Sequence, residues 1–167
     1  MSDPQPAWQE FLSGLDVPGK AAPESLLAQF SVLGVTDPIE LIKSEVLENV
    51  PQLARFVLLR SLWQGAIDGW SEPASLDQLP AAQRLLVAGA DRDDLVRLAR
   101  AVAYEVVCAT LDELDAGGDV NVSGVEAGWV VMESGEEVSA TGRALSGLHE
   151  DLLTMDPSGR DGADLWQ

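Results

Sequence analysis

The sequence predicts a mainly α-helical protein, an irregular bundle of about six or seven helices with a small β-hairpin near residues 128–141, before the last helix. Three observations predict it. Apolar residues recur at the helical period between start and stop signals as far as Gly118, β-branched and aromatic residues follow, and a helical pattern then returns. At 167 residues, 46% of them hydrophobic, the chain can bury the core of a single domain spanning 1–167.

The N-terminal part predicts three elements. Residues 1–22 are predicted to hold one short helix, because prolines precede it and a Pro-Gly turn follows it. This segment is expected to dock loosely. A second helix begins near Pro23 and ends at Gly34, since proline suits a first helical position and glycine a left-handed stop. A third begins at Pro38, with Asp37 as its cap, and runs to about residue 48.

The next stretch predicts two helices separated by a loop. The first runs from residue 52 to about residue 67 and is apolar on most of its surface. Gly69, Pro73 and small polar residues mark a loop at 69–79, and a short helix follows from Pro80 to Gly89.

The longest predicted helix lies between Asp91, which can cap its first free amides, and the stop signal Gly117-Gly118. One half of its surface is apolar, and the other half is a narrower polar stripe. Such a wide apolar face predicts that this helix is the packing centre of the fold. The apolar half comprises Leu95, Leu98, Ala99, Val102, Ala103, Val106, Val107, Ala109, Thr110 and Leu114.

The C-terminal part predicts a hairpin and one more helix. Strands at 129–133 and 136–141 flank Ser134-Gly135, and Thr141 is expected to cap the last helix. Pro157 would end that helix and leave 157–167 as an extended tail. Its apolar face would consist of Leu145, Leu148, Leu152 and Met155.

The net charge of −18 is the strongest compositional feature. Residues 101–167 carry fourteen acids against two arginines. Such a field repels nucleic acids and anionic membranes, and it favours fast, salt-sensitive association with a basic protein. Acidic character also serves solubility alone, so the charge predicts a partner class without proving that a partner exists.

The expected compartment is the cytoplasm, because the N-terminus lacks the basic and apolar regions of a signal peptide and no long apolar stretch exists. The single cysteine, Cys108, fits a reducing compartment. The sequence contains no nucleophile elbow, metalloprotease helix or phosphate-binding loop, and we expect no cofactor.

One segment resembles half of a calcium loop. Asp119, Asn121 and Ser123 place oxygen ligands at alternate positions before Gly124, as in an EF-hand. Val130 stands where the bidentate glutamate belongs, which removes the strongest ligand. The same residue types build ordinary turns, and that reading is favoured.

Catalysis would depend on His149, the single histidine. Cys108 and Glu105 are the other weak candidates, and a nucleophile pair would need Cys108 and His149 to meet in space. A packed, hydrogen-bonded histidine is the more common case.

A ligand site is a further hypothesis. Arg97, Arg100 and Tyr104 share the polar stripe of the longest helix and could line a pocket for an anion. The alternative is that the arginines pair with nearby acids.

Three functions remain open: a non-enzymatic protein–protein interaction module, a small enzyme or ligand-binding protein with a pocket between the central and last helices, and a structural homodimer. The first is favoured, and an immunity-type inhibitor of a basic partner would be one case of it. Exposed aromatic and acidic side chains in the C-terminal third would form the interaction surface: Trp129, Glu133, Glu136, Glu137 and Trp166.

Overall fold

A computed structural model describes residues 4–15, 21–119, 124, 127–135 and 137–166. The predicted fold class is confirmed: the described residues are mainly helical, with one two-stranded antiparallel sheet. The helices of this part of the chain are α1 (Pro4–Ser13), α2 (Ala21–Val32), α3 (Ile39–Leu47), α4 (Gln52–Leu62), α5 (Pro73–Asp77), α6 (Pro80–Val87), α7 (Arg92–Ala116) and α8 (Leu148–Asp151). The strands are β1 (Met132–Ser134) and β2 (Ala140–Ala144).

The chain forms two compact units. Unit 1 comprises residues 1–54 and 132–144, and unit 2 comprises residues 55–131 and 145–167. Unit 1 therefore contains α1 to α3 and the hairpin, whereas α5 to α8 belong to unit 2.

The core of unit 1 forms where α2 packs on α3. Phe30 and Ile42 are fully buried there. Helix α2 ends as predicted, because Gly34 adopts a positive φ and lets the Val35 amide bond back to the Phe30 carbonyl. The predicted cap of α3 is wrong, since the N-cap residue is Pro38, whose side chain has no acceptor atom.

The hairpin lies further along the chain than predicted. Met132 pairs with Ala144 and Ser134 with Ala140, so β2 spans more residues than β1 and the register shifts between the two pairs. Gly142, at a φ of 86°, adopts a backbone conformation that suits such a bulge. Thr141 lies in β2 and donates to the Glu133 carboxylate, instead of capping a helix.

The core of unit 2 surrounds Trp63, which is fully buried. Trp63 lies in a π-helical turn that continues α4, and its indole Nε1 donates to the carbonyl of Leu152 at 2.5 Å. The centroid of the Tyr104 ring lies 6.0 Å from the centroid of the Trp63 ring. Helix α7 packs against this π-helical turn, against α8 and against the 3₁₀ turns at Asp68–Ser71 and Ala163–Leu165, so it lies at the packing centre of unit 2 as predicted. Other buried residues of this core are Leu59, Ile67, Leu111, Leu148, Leu152 and Leu165.

The predicted last helix is much shorter in the structure. Helix α8 covers Leu148–Asp151, and turns follow as far as residue 162. The buried carboxylate of Asp156 organises those turns, because it accepts hydrogen bonds from the amides of Ser158 and Gly162. Gly162 has a positive φ, and a Cβ there would lie 2.8 Å from the side chain of Leu153, so glycine is required at this position.

Candidate functional site

Helix α7 begins and ends where the sequence predicts. The Asp91 carboxylate accepts from the amides of Asp93 and Asp94, and Gly117 adopts the left-handed conformation that ends the helix. These local signals fix a 25-residue helix, which positions every candidate residue between 93 and 115.

The exposed face of α7 is the face that was predicted to be buried. Leu98, Val102 and Val106 are 62%, 55% and 61% exposed, and Ala109 continues the same line. Their spacing of three or four residues aligns them along the helix axis. We call Leu98, Val102, Val106 and Ala109 the α7 stripe.

Arg100 and Tyr104 of the polar stripe turn toward the core of unit 2, whereas Glu105 and Asp112 are exposed. The Arg100 guanidinium, only 13% exposed, donates to Asp68 and Asp164, at 2.6 Å in each case. Burial alone would lower the pKa of Arg100, but the hydrogen bonds and charges of Asp164 and Asp68 raise it. Arg100 is thus held in an internal ion-pair network. This agrees with the alternative that the arginines pair with acids of the chain and do not bind a ligand.

Arg97 and Tyr104, the other predicted ligand residues, also have protein partners. Arg97 pairs with Asp94 at 3.0 Å near the surface. Tyr104 is buried, and burial followed by the neighbouring Cys108 raises its pKa to about 12, which keeps the phenol neutral. The ring of Trp166 packs edge-on against Tyr104, with 5.9 Å between ring centroids.

His149 lies beside the C-terminal end of α7. Its Nδ1 atom is 2.8 Å from Oδ2 of Asp115, and its backbone amide donates to the same oxygen at 3.2 Å. Asp112 and Glu150 approach Nε2 at 3.7 and 4.0 Å. The hydrogen bond to Asp115 raises the pKa of His149 first, and the charges of Asp112, Asp115 and Glu150 raise it further against the opposing effect of burial.

The other two catalytic candidates do not join this histidine. Glu105 is exposed and is not among the carboxylates within 4.0 Å of the imidazole. Cys108 is half-buried beside Tyr104, and in the described part of the chain no hydrogen bond joins it to His149. Among the described residues, the geometry therefore brings together the pair of Asp115 and His149, and neither Cys108 nor Glu105 joins it.

The calcium hypothesis falls largely outside the described residues. Asp119 is exposed, and Asn121 and Ser123 lie among the residues that are not described. Among the described residues no group of three or more histidine, cysteine or acidic side chains is arranged to hold a metal ion. Calcium binding stays a prediction.

The predicted interaction residues divide between the two units. In unit 2, Trp129 and Trp166 are both exposed, and the Trp129 indole donates to the Glu113 carbonyl at 3.0 Å. In unit 1, Glu137 is exposed, and Glu136 lies outside the described residues.

Glu133, in unit 1, is used inside the fold. It forms a bidentate ion pair with Arg143, whose guanidinium also reaches Glu45 at 3.1 Å. Burial alone would raise the pKa of Glu133, but the hydrogen bonds from Arg143 and Thr141 lower it. Glu133 therefore connects the two strands of the hairpin, and its carboxylate is already paired within the fold.

A groove of about 360 Å³ lies in unit 1 between α1 and α3. Its lining residues are Glu10, Phe11, Gly14, Leu15, Lys43 and Leu47. None of the predicted ligand or catalytic residues lines this groove.

An acidic edge borders the α7 stripe. At 100° per residue, Asp94, Glu105 and Asp112 project about 60–80° to one side of Val102, and all three are exposed. Sequence reasoning missed this surface because it assigned the apolar half of α7 to the core. The available signal was the polar stripe, whose spacing is as regular as that of the apolar half.

Two findings complete the description. Within the described residues, no helix combines the length and apolar character needed to cross a membrane. No protein-family model matches the chain, and neither does any curated protein or solved structure.

Proposed function

We propose that the chain is an acidic cytoplasmic protein–protein interaction module that binds a basic protein partner, without catalysis. The observation that carries the proposal is the imbalance between cations that are held in ion pairs and acids that are exposed at the surface. Seven basic side chains are held in ion pairs within the chain: Lys43, Arg55, Arg92, Arg97, Arg100, Arg143 and Arg160.

The excess of exposed acidic side chains over basic ones is greatest in the C-terminal third. Both of its arginines, Arg143 and Arg160, are bound to internal carboxylates. Seven of its described acids are exposed, which leaves a strongly negative surface facing solvent: Glu105, Asp112, Glu113, Asp119, Glu137, Glu150 and Asp161. Such a surface attracts cationic proteins at a rate that falls with ionic strength. An immunity-type inhibitor of a basic toxin is a special case of this function.

The test is capture of a partner from the lysate of the native host. Tagged full-length chain is immobilised at low salt and eluted with increasing salt, and we expect one basic protein in stoichiometric amount. Its affinity is then measured with purified components at several salt concentrations. Loss of affinity with rising salt supports the proposal, and an eluate that contains no basic protein overturns it.

A matched pair of variants locates the docking charge. Glu105→Gln with Glu113→Gln removes two exposed charges from the C-terminal third, whereas Glu24→Gln with Asp37→Asn removes two exposed charges from the N-terminal part. We expect the first pair to weaken the complex more. Equal effects would reduce the interaction to net charge and remove the assignment to the C-terminal third.

An enzyme or ligand-binding protein is the second candidate, and the His149–Asp115 pair is the observation that favours it. A carboxylate that orients an imidazole is a common acid–base device. The hydrogen bond to Asp115 and the charges of the surrounding acids raise the pKa of His149, however, which favours the imidazolium form, and an imidazolium cannot accept a proton as a general base. A small molecule that stabilises the native chain against heat but fails to stabilise His149→Gln would favour this second function.

A further inference from the structure

The α7 stripe is an unpartnered apolar surface on the longest helix of the described residues. Consecutive members are three or four residues apart. Leu98 and Val106 lie about 12 Å apart along the axis at 1.5 Å rise per residue, and each is more than half exposed. Single exposed apolar residues are normal, but an aligned row on one helix is typical of a contact surface.

The two edges of the stripe differ in charge. One edge carries Asp94, Glu105 and Asp112, all exposed. The projection places Ala103 and Thr110, which are small and uncharged, on the opposite edge. A partner that covers the stripe from Leu98 to Ala109 therefore meets these three carboxylates along one side, and the opposite edge permits close approach of a backbone. The exposed Glu113 projects in line with the stripe at its C-terminal end.

The geometry points to this face as the docking surface for an amphipathic helix of a basic partner, with an apolar stripe laid on Val102 and lysine or arginine along the acidic edge. Helices paired along apolar stripes use the flanking charges to select partner and orientation. The inference deepens the proposed function and rests on it.

A second copy of the chain fits this face less well. In an antiparallel pair of α7 helices the acidic edge of one copy faces the acidic edge of the other. In a parallel pair the acids face an edge formed by Ala103, Thr110 and Arg92, and the Arg92 guanidinium is already paired with Asp77. Each copy also carries a net charge of −18, which opposes self-association.

The experiment uses a synthetic peptide of about 20 residues, long enough for several helical turns. It carries leucines along one helical face and arginines along one flank. Binding to the full-length chain is followed by fluorescence anisotropy. The triple variant Leu98→Ser, Val102→Ser and Val106→Ser is expected to bind at least about tenfold more weakly, because the apolar surface is lost.

A matched control comes from α6, where Leu85 and Val87 are also exposed, at 49% and 89%. Leu85→Ser with Val87→Ser removes apolar surface away from the stripe and is expected to leave peptide affinity within about twofold, as other surface changes do. Equal losses in both variants would overturn the assignment. Retained binding in the triple variant would overturn it as well.

The charge edge supplies an independent variant that does not alter the apolar surface. Glu105→Lys is expected to weaken peptide binding and flatten its salt dependence more than Glu24→Lys does, because Glu105 borders the stripe. The reverse order, or equal effects, would overturn the proposed orientation.

Three further outcomes separate this inference from the proposed function. If a scrambled peptide of equal composition binds as tightly, charge alone acts, and the docking surface is wrong while the proposed function stands. If the chain self-associates and the triple variant is monomeric in sedimentation, the face belongs to a second copy and the inference is wrong. If neither peptide nor any basic lysate protein binds, the proposed function itself fails.

Discussion

The Nδ1 atom of His149 lies 2.8 Å from Oδ2 of Asp115, a carboxylate 34 residues earlier in the chain. This contact connects α8 to the C-terminal end of α7 within unit 2. It also places the single histidine among three carboxylates that favour its charged form.

The first prediction concerns this pair. Because the folded pKa of His149 is raised above 6.5, the pair stabilises the fold fully below that pH and loses its contribution as pH rises through the folded pKa. Imidazole resonances in an NMR titration are expected to show the raised pKa, and Asp115→Asn should lower it. Glu150→Gln should lower it less, since Glu150 lies 4.0 Å away. A wild-type pKa at or below 6.5 would contradict the prediction.

The second prediction concerns Arg100. Arg100→Met leaves Asp68 and Asp164 facing each other without the cation that joins them. We expect the free energy of unfolding to fall by about 2 kcal/mol, since the pairs are largely shielded from solvent. Urea denaturation measures the loss. Arg97→Met, which breaks a more exposed pair with Asp94, should cost less than about 0.5 kcal/mol. Equal costs would show that the Arg100 network adds nothing beyond a surface contact.

The third prediction concerns the hairpin of unit 1. Arg143→Met leaves Glu133 and Glu45, both largely buried, without their shared cation. We expect a loss of about 2 kcal/mol in the free energy of unfolding. The pKa of Glu133 should rise at the same time, because the hydrogen bonds of Arg143 lower it. Arg160→Met, at a more exposed arginine, is the control, and a Glu133 pKa unchanged by Arg143→Met would contradict the assignment.

Local signals predicted where α2 and α7 end and where α7 begins, but they missed α5, which lies in the predicted loop at 69–79, and the short α8. The cap at Asp91 and the stops at Gly34 and Gly117 each depend on a few neighbouring residues, so the sequence displays them directly. The helical class with one small hairpin followed from the same kind of pattern.

Distant partners account for what the sequence could not show. Helix α7 has two equally regular stripes, and the choice of the inward face depends on Asp68 and Asp164, which lie 32 and 64 residues from Arg100. The hairpin lies further along the chain than predicted because Arg143 and Thr141 both donate hydrogen bonds to Glu133 across the strands. Neither relationship is a local pattern, so periodicity alone assigned the stripe to the core.

The last prediction concerns Asp156, a buried carboxylate in the turns after α8. Burial alone would raise its pKa, but bonds from the Gly162 amide and from the amide and hydroxyl of Ser158 lower it below 3.8. A lowered folded pKa stabilises the protein above the unfolded value, and this contribution disappears as pH falls through the folded pKa. Asp156→Asn is therefore expected to cost about 1–3 kcal/mol at neutral pH.

Urea denaturation of the wild type and Asp156→Asn across the acid range tests this linkage. The stability difference between the two proteins should shrink as pH falls, because the wild-type carboxylate becomes protonated and loses the charge that the three donors favour. Asp161→Asn, at an exposed carboxylate in the same turns, should change stability little at any pH. A difference that stays constant from neutral to acid pH would mean that Asp156 acts through shape and neutral hydrogen bonds, and that its charge does not hold these turns together.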